Sequence, residues 1–292
     1  MTPATDTDAP PSRLLLATDL SARCDRALDR AAQLAGEWRA ELVALTVVEA
    51  PQAPDLILAW AAREDDERAA QVARQQLEGD LEGLGIRTSV RVVRGDAANV
   101  IPAVAASAGC ELIVTGMARN ETLGRFLLGS TVEALARTAS QPLLVVRNRV
   151  RGPYRRVVAA TDFSDASRDA LRAAVRLFPD RDLTLFHACT IPMSGHAHDS
   201  RVAAIRRHVE EGECAAFLAA TDLPADVRRR LRVVVEVGAT ATTLTRHVRE
   251  RGVDLVVTGA HGRRGALASL IGSTAQKLID WLPCDTMIAR AG

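Results

Sequence analysis

The residue types with most chemistry to offer lie late in the chain, where Gly259-Ala260-His261-Gly262 is followed after nine residues by Gly272-Ser273-Thr274. Glycines behind a strand let the backbone approach a bulky anion and turn successive N–H groups toward it. A helix opening at Ser273 adds free N–H groups and the positive end of its dipole. Ser273 and Thr274 bring hydroxyl donors, and His261, Arg263 and Arg264 stand beside them. Together they describe a phosphate cradle; the alternative is a pair of tight turns without a ligand. It is not a Walker loop, because no Gly-Lys-Ser/Thr closes it, and no Gly-x-Gly-x-x-Gly follows a first strand. Upstream, the apolar run Val157–Ala160 ends in Thr161-Asp162-Phe163-Ser164. Asp162 at a strand end can accept hydrogen bonds from ring nitrogens or ribose hydroxyls. Asp or Ser in that place equally serves to cap the next helix.

Other constellations are less directed. His196, His198 and Asp199 fall within four residues and are candidate Zn²⁺ ligands, with His187, Cys189 and His208 not far along the chain. The alternative is a solvated loop. No Gly-x-Ser-x-Gly or nucleophile–base set suggests hydrolysis, so no catalytic residue is assigned, and His247 reads as a helix-surface residue. The carboxylates between Arg63 and Arg68 read as the solvated face of a helix. The arginines at 228, 229, 230 and 232 have few aromatic platforms to work with, since the chain holds one tyrosine, three tryptophans and five phenylalanines. With a net charge of only +1, neither nucleic acid nor an anionic membrane is an expected partner.

The elements that must hold these residues announce themselves as a repeat. Leu14–Ser21 is echoed by Val157–Ser164, Glu111–Gly116 by Asp254–Gly259, and Gly129-Ser130-Thr131 by Gly272-Ser273-Thr274, all at an offset of 143 residues. The apolar run Leu143–Arg147 matches Thr286–Arg290 at the same offset. The chain therefore reads as two copies of one domain, 12–149 and 153–292, joined near Asn148–Pro153 and preceded by a loose tail over 1–11. In copy one, strands are expected at 13–18, 42–48, 88–94, 111–116 and 142–147, with helices near 22–39, 55–84, 97–109 and 130–139. Short apolar strands alternating with helices specify an α/β fold, each copy a doubly wound, open, mainly parallel five-stranded sheet of Rossmann-like type. Ligands of such folds sit beyond the carboxyl ends of the strands, where the repeated motifs fall.

Composition agrees with two globular domains. The chain has 292 residues, 48% hydrophobic and 25% charged, and its longest apolar candidate, Ala97–Cys110, is too short to span a bilayer. The five scattered cysteines form no Cys-x-x-Cys pair, and the polar start lacks the pattern of a secretory signal, so a reducing cytoplasm is expected. Lys277 is the single lysine, so 36 of the 37 basic residues are arginine, which fits codon bias in an alanine-rich chain.

The Asp-ending first strand, the Gly-x2-Gly-x9-Gly-Ser loop and the final apolar strand resemble the universal stress protein family, twice, over essentially the whole chain beyond the tail. The loop pattern resembles the ATP-binding branch of that family. The resemblance implies a fold like that of the adenine nucleotide alpha hydrolases, an ATP ligand with Mg²⁺ as its counter-ion, and a regulatory, stress-response role. It also implies an internal pseudo-dimer paired through Leu143–Arg147 and Thr286–Arg290; pairing of whole chains into a homodimer stays open. In copy two, Asp162 corresponds to the adenosine-binding aspartate and Ala188 to the adenine-facing backbone. Gly259, Gly262, Gly272 and Ser273 correspond to the ribose and phosphate residues, with His261, Arg263 and Thr274 as neighbours. Copy one keeps Asp19, Val47, Gly116, Gly129, Ser130 and Thr131, but Arg119 replaces the glycine equivalent to Gly262. Strain or a clash there would cost about 1–3 kcal/mol, against about 1.5–3 kcal/mol for pairing its guanidinium with a phosphate. Copy two is the expected nucleotide site. The alternative is a nucleotide-independent scaffold or interaction protein, with a metal or other small ligand and an unknown protein partner.

Overall fold

The computed structural model describes residues 10–48, 58–117, 120–122, 125–127, 129–189, 199–262 and 272–290. The N-terminal half runs β1 (Arg13–Thr18), α1 (Asp25–Trp38), β2 (Glu41–Val48), α2 (Leu58–Leu81), β3 (Arg87–Arg94), α3 (Ala97–Ser107) and β4 (Ile113–Gly116). The short strands β5 (Asn120–Thr122) and β6 (Arg125–Leu127) pair with each other, and α4 (Ser130–Thr138) and β7 (Leu143–Val146) follow. The C-terminal half runs β8 (Arg156–Thr161), α5 (Asp165–Leu177), β9 (Asp182–Cys189) and α6 (Asp199–Val209). A π turn (Glu210–Cys214) leads on to α7 (Ala215–Ala219), α8 (Ala225–Arg230), β10 (Arg232–Val237), α9 (Thr240–Arg251), β11 (Leu255–Gly259), α10 (Ser273–Trp281) and β12 (Asp285–Ala289).

Two compact units result, one of Pro11–Asn120 with Leu128–Pro153, the other of Tyr154–Gly292 with Glu121–Leu127. In the first, the strand order is β7-β4-β1-β2-β3, every pair parallel. In the second it is β10-β9-β8-β11-β12, again all parallel. Central strands covered on both faces need continuous apolar runs. Leu14, Leu15 and Leu16 in β1 and Leu255, Val256 and Val257 in β11 are accordingly sealed from solvent. Each crossover carries a helix whose apolar stripe faces the sheet: α5 buries Ala170, Leu171, Ala174 and Leu177 against β8 and β11.

Equivalent polar contacts hold the strand starts. Asp254 Oδ2 accepts from the N–H groups of Arg155 (2.8 Å) and Arg156 (2.9 Å). In copy one Glu111 Oε1 takes the N–H of Ser12 at 2.8 Å. The second unit adds a buried bond from Tyr154 Oη to Asp285 Oδ2 at 2.6 Å, with Phe178 edge-on to the Tyr154 ring. The arginine run is occupied structurally: Arg228 donates to the carbonyls of Leu218 and Thr221, and Arg230 to those of Pro179 and Arg181.

The constant offset of 143 conceals two compensating shifts. Arg13 pairs with Glu41 where Arg156 pairs with Asp182, so β2 and β9 correspond at an offset of 141. Gly95 N donates to Val48 O, as Gly238 N does to Cys189 O, which makes Val47 and Ala188 equivalent. Copy one is two residues longer before its second strand and two shorter after it. His247, expected on the helix surface, instead sits half-buried with its ring 5.2 Å from that of Phe186.

Candidate functional site

In the second unit β8 has β9 on one side and β11 on the other, so the winding reverses between β8 and β11. The carboxyl edge at such a switch point opens a crevice. Asp162 and Gly259 flank it, directly following β8 and ending β11.

Asp162 is held by its own turn. Its Oδ1 accepts from the N–H of Ser164 (3.1 Å) and from Ser164 Oγ (2.5 Å), and Ser164 Oγ in turn accepts from Ser167 N at 3.3 Å as the N-cap of α5. The capping expected of this motif falls to Ser164, whose N–H and Oγ also hold Asp162 Oδ1. Phe163 has φ 63°, an uncommon conformation for an aromatic residue. Its N–H donates to Thr161 Oγ1 (2.9 Å), and its ring stacks on His187 at 4.3 Å and lies 5.6 Å from Phe217. His187 Nδ1 bonds Thr161 O at 2.8 Å. The π turn just before α7 precedes Phe217, which also lies under the Arg168 guanidinium. This aromatic support was missed from the sequence, where Phe163 passes as one more apolar residue of the repeat.

The glycines are needed for close approach. A Cβ on Gly262 would lie 2.6 Å from Asp162 Oδ2, and one on Gly259 2.7 Å from Ala166 O, at the start of α5. Neither glycine has positive φ. Gly272 N donates to Ala260 O (2.8 Å), and Ala260 N to Ala289 O (3.1 Å), so the start of α10 is folded onto the Gly259–Gly262 turn. A Cβ on Gly272 would meet Ala260 O at 3.4 Å and His261 Cα at 3.6 Å. Gly272 is the N-cap, no side chain caps α10, and Ser273 and Thr274 are exposed in its first turn. Such an end, free of acidic residues, favours an anion. Ala188 is half-buried near the end of β9. Arg263 lies outside the described residues.

Copy one builds a different edge. Asp19 Oδ1 accepts from Ser21 N (3.0 Å), Ser21 Oγ (2.6 Å) and Cys24 Sγ (3.1 Å). Cys24 stands where copy two has Ser167, and burial pushes its thiol above the ordinary value. Helix α1 starts at Asp25, three residues later than the equivalent of α5, and its N-cap Cys24 makes no side-chain cap. Gly116 is less confined than Gly259, its nearest backbone neighbour being Arg23 O at 3.3 Å from a Cβ. Val47 is half-buried, and Gly129 caps α4 with nearly the angles of Gly272, followed by Ser130 and Thr131. The first turn of α4, however, carries Glu133, paired with Arg137 at 3.6 Å, where α10 has Gln276. A carboxylate there opposes an incoming anion. The offset alone could have revealed it. Arg119 lies outside the described residues.

Neither His196 nor His198 is among the described residues, and Asp199 opens α6. His187 is engaged with Thr161, and Cys189 Sγ donates to Glu236 O at 3.4 Å. Among the described residues no group of three or more His, Cys, Asp or Glu side chains converges as a metal site, and no helix is long and apolar enough to cross a membrane.

The sequence matches the profile of the universal stress protein family twice, over residues 11–147 and 153–290. A universal stress protein of Mycolicibacterium smegmatis is 27% identical over 301 residues, covering 95% of this chain and 96% of that protein. The crystal structure of a universal stress protein from Archaeoglobus fulgidus superposes with a TM-score of 0.64 at 20% identity, covering 96% of this chain and 99% of that one. A universal stress protein solved in complex with cAMP covers 48% of this chain and 98% of its own length, at 25% identity and a TM-score of 0.35.

Proposed function

This chain belongs to the universal stress protein family in both of its halves, and on that premise we propose that its second copy binds an adenine nucleotide, ATP with Mg²⁺, in a regulatory stress-response role. The observation that carries the reading is the approach of Gly262 to Asp162. A Cβ built on Gly262 would lie only 2.6 Å from Asp162 Oδ2, which sets the phosphate-type loop directly beside the nucleoside-type aspartate. In this reading Asp162 Oδ2 and the backbone at Ala188 select the nucleoside. The turn at Gly259–Gly262 and the N-terminal turn of α10, with Ser273 and Thr274, receive the phosphates, and Arg263 adds a donor. Mg²⁺ would enter with the phosphates and would offset part of their charge.

For copy one a second reading is favoured by the Asp19–Cys24 bond and by Glu133: that half serves as a nucleotide-independent interaction or scaffold module. No nucleophile–base set is assigned among these residues, so binding rather than turnover is the proposed role.

The test is direct. The protein is purified without added ligand, denatured, and the released small molecules are chromatographed. Adenine nucleotide near one per chain supports the reading; two per chain refutes the division between copies. If none is carried over, Mg-ATP at about 100 times its dissociation constant should stabilise the protein by about 2.7 kcal/mol in a thermal shift. Neither nucleotide nor shift returns the whole chain to the scaffold reading.

A further inference from the structure

The turn after the first strand of each copy starts alike and is finished differently. Leu20 and Phe163, equivalent residues at φ 59° and 63°, each donate their N–H to the threonine two residues earlier, Thr18 or Thr161. In copy two the side chain is covered by other rings. Phe163 is buried, stacked on His187 and set against Phe217, and the Arg168 guanidinium lies 5.5 Å over the Phe217 ring. In copy one the strand register puts Thr46 where copy two has His187, and Leu20 is only half-buried. Between Leu20 and helix α2 lies an open recess of about 470 Å³, lined by Leu20, Arg68, Ala69, Val72, Ala73 and Gln76. Among the described residues no aromatic ring lines it, and Val72 at its rim is 56% exposed. The helix cannot settle inward to close it. Ala73, Leu77 and Leu81 already seat α2 on β2 and β3, and Gln76 Nε2 donates to Leu20 O at 3.3 Å.

We propose that copy one binds an uncharged, flat aromatic small molecule in this recess, the ligand supplying the rings that copy two supplies from its own chain. The volume falls within the roughly 300–1,000 Å³ of small-molecule sites and is well above the roughly 150 Å³ that accepts benzene. Charge complementarity favours an aromatic ring over an aliphatic chain. The exposed Arg68 lines the recess as Arg168 lies over Phe217, and a guanidinium is drawn to the negative face of a ring. An anion is disfavoured, because Glu64-Asp65-Asp66-Glu67 directly precede Arg68 and like charges repel. None of Asp19, Val47, Gly116 or Gly129 lines the recess. It is therefore separate from the edge that corresponds to the nucleotide crevice, and it stands whether or not copy two holds a nucleotide.

The experiment titrates the full-length protein at neutral pH with 2-naphthol, and with 2-naphthoate as its anionic counterpart. Naphthol should bind saturably with a dissociation constant of about 1 mM or tighter, shifting the NMR signals of Leu20, Ala69 and Val72. Naphthoate should bind more weakly. Ala69→Trp, at an exposed position of α2, fills the recess with a ring of the protein's own and should weaken naphthol at least about tenfold. Arg68→Gln removes the cation and should weaken it about two- to fivefold. Excess Mg-ATP should leave naphthol binding unchanged. If Ala69→Trp does not fold, Val72→Glu decides, since it sets a charge at the exposed rim and should also abolish binding. The proposal is overturned by any of four results: no saturable binding, full affinity in the filled or charged variant, naphthoate binding as tightly as naphthol, or displacement of naphthol by Mg-ATP.

Discussion

Gly262→Ala isolates the contact on which the site depends. The new Cβ would sit 2.6 Å from Asp162 Oδ2, about 0.8 Å inside the 3.4 Å at which ordinary contact begins. The carboxylate cannot retreat freely, because its Oδ1 is tied to the N–H and Oγ of Ser164. Forcing it back breaks or stretches one bond to a charged group, worth about 1.5–3 kcal/mol, and partial exposure places the loss near the lower end. Against this, alanine at a residue without positive φ restricts the unfolded chain and returns about 0.4–1 kcal/mol. The net expectation is a loss of about 1 kcal/mol, or roughly 2–4 °C in a unit of this size.

A double-mutant cycle gives the contact its own signature. On an Asp162→Ala background the obstruction is gone, so Gly262→Ala should be neutral or stabilise by up to about 1 kcal/mol. The coupling between the two positions is then about 1–2 kcal/mol. The second unit is followed in the full chain by urea unfolding of a Trp38→Phe, Trp60→Phe background, in which Trp281 is the remaining tryptophan. Additivity within about 0.3–0.5 kcal/mol would mean that the two residues do not share a contact, and the crevice as described would be wrong.

Four further outcomes are expected. Arg119→Gly combined with Glu133→Gln removes both obstacles to an anion in copy one and should raise bound nucleotide from one toward two per chain; an unchanged stoichiometry refutes that account of the first half. Tyr154→Phe deletes the buried bond to Asp285 and should cost the second unit about 2 kcal/mol, a loss under about 0.5 kcal/mol showing the bond to be idle. Burial, aided by Arg251, holds His247 below its ordinary 6.5, so the unfolded chain binds this proton more readily than the folded one. Stability is full above pH 6.5 and falls as pH drops from there toward the folded value, and His247→Gln should flatten that slope. Burial raises the Cys110 thiol to about 11, so its alkylation should still be accelerating about tenfold per pH unit between pH 8 and 10, and a plateau by pH 9.5 would contradict this.

Much of the scaffold is legible in the sequence for a physical reason. Parallel strands covered on both faces must be unbroken apolar runs, and β1 matches the expected 13–18 to the residue. The edges are less legible. The helix expected from 22 begins at Asp25, because the turn around Asp19 engages Cys24 before the helix can start. The β2 correspondence was hidden because two changes of length cancel, leaving the outer motifs at one constant offset. Gly262 could be marked as necessary, but strained φ and close contact read alike in a sequence, and only the structure assigns the contact. The stack of Phe163 on His187 joins residues 24 positions apart, with nothing local to signal it.

The two copies separate what the fold needs from what the ligand needs. Thr18 and Thr161 both accept the N–H of a residue with positive φ, and Gly129 and Gly272 both cap a helix with extended angles. Asp19 and Asp162 both fasten the serine two residues on. Those shared features build the turn, so the aspartate by itself is no sign of a nucleotide. The differences gather where an anion would lie: His261 and Gly262 against Ala118 and Arg119, and Gln276 against Glu133. In sequence the changes replace a histidine donor by alanine, a glycine by arginine, and a neutral amide by a like charge. A half that kept its turn while losing those groups keeps what the fold requires, which is why the proposed assignment of the nucleotide to the second half rests on the glycine facing Asp162 more than on Asp162 itself.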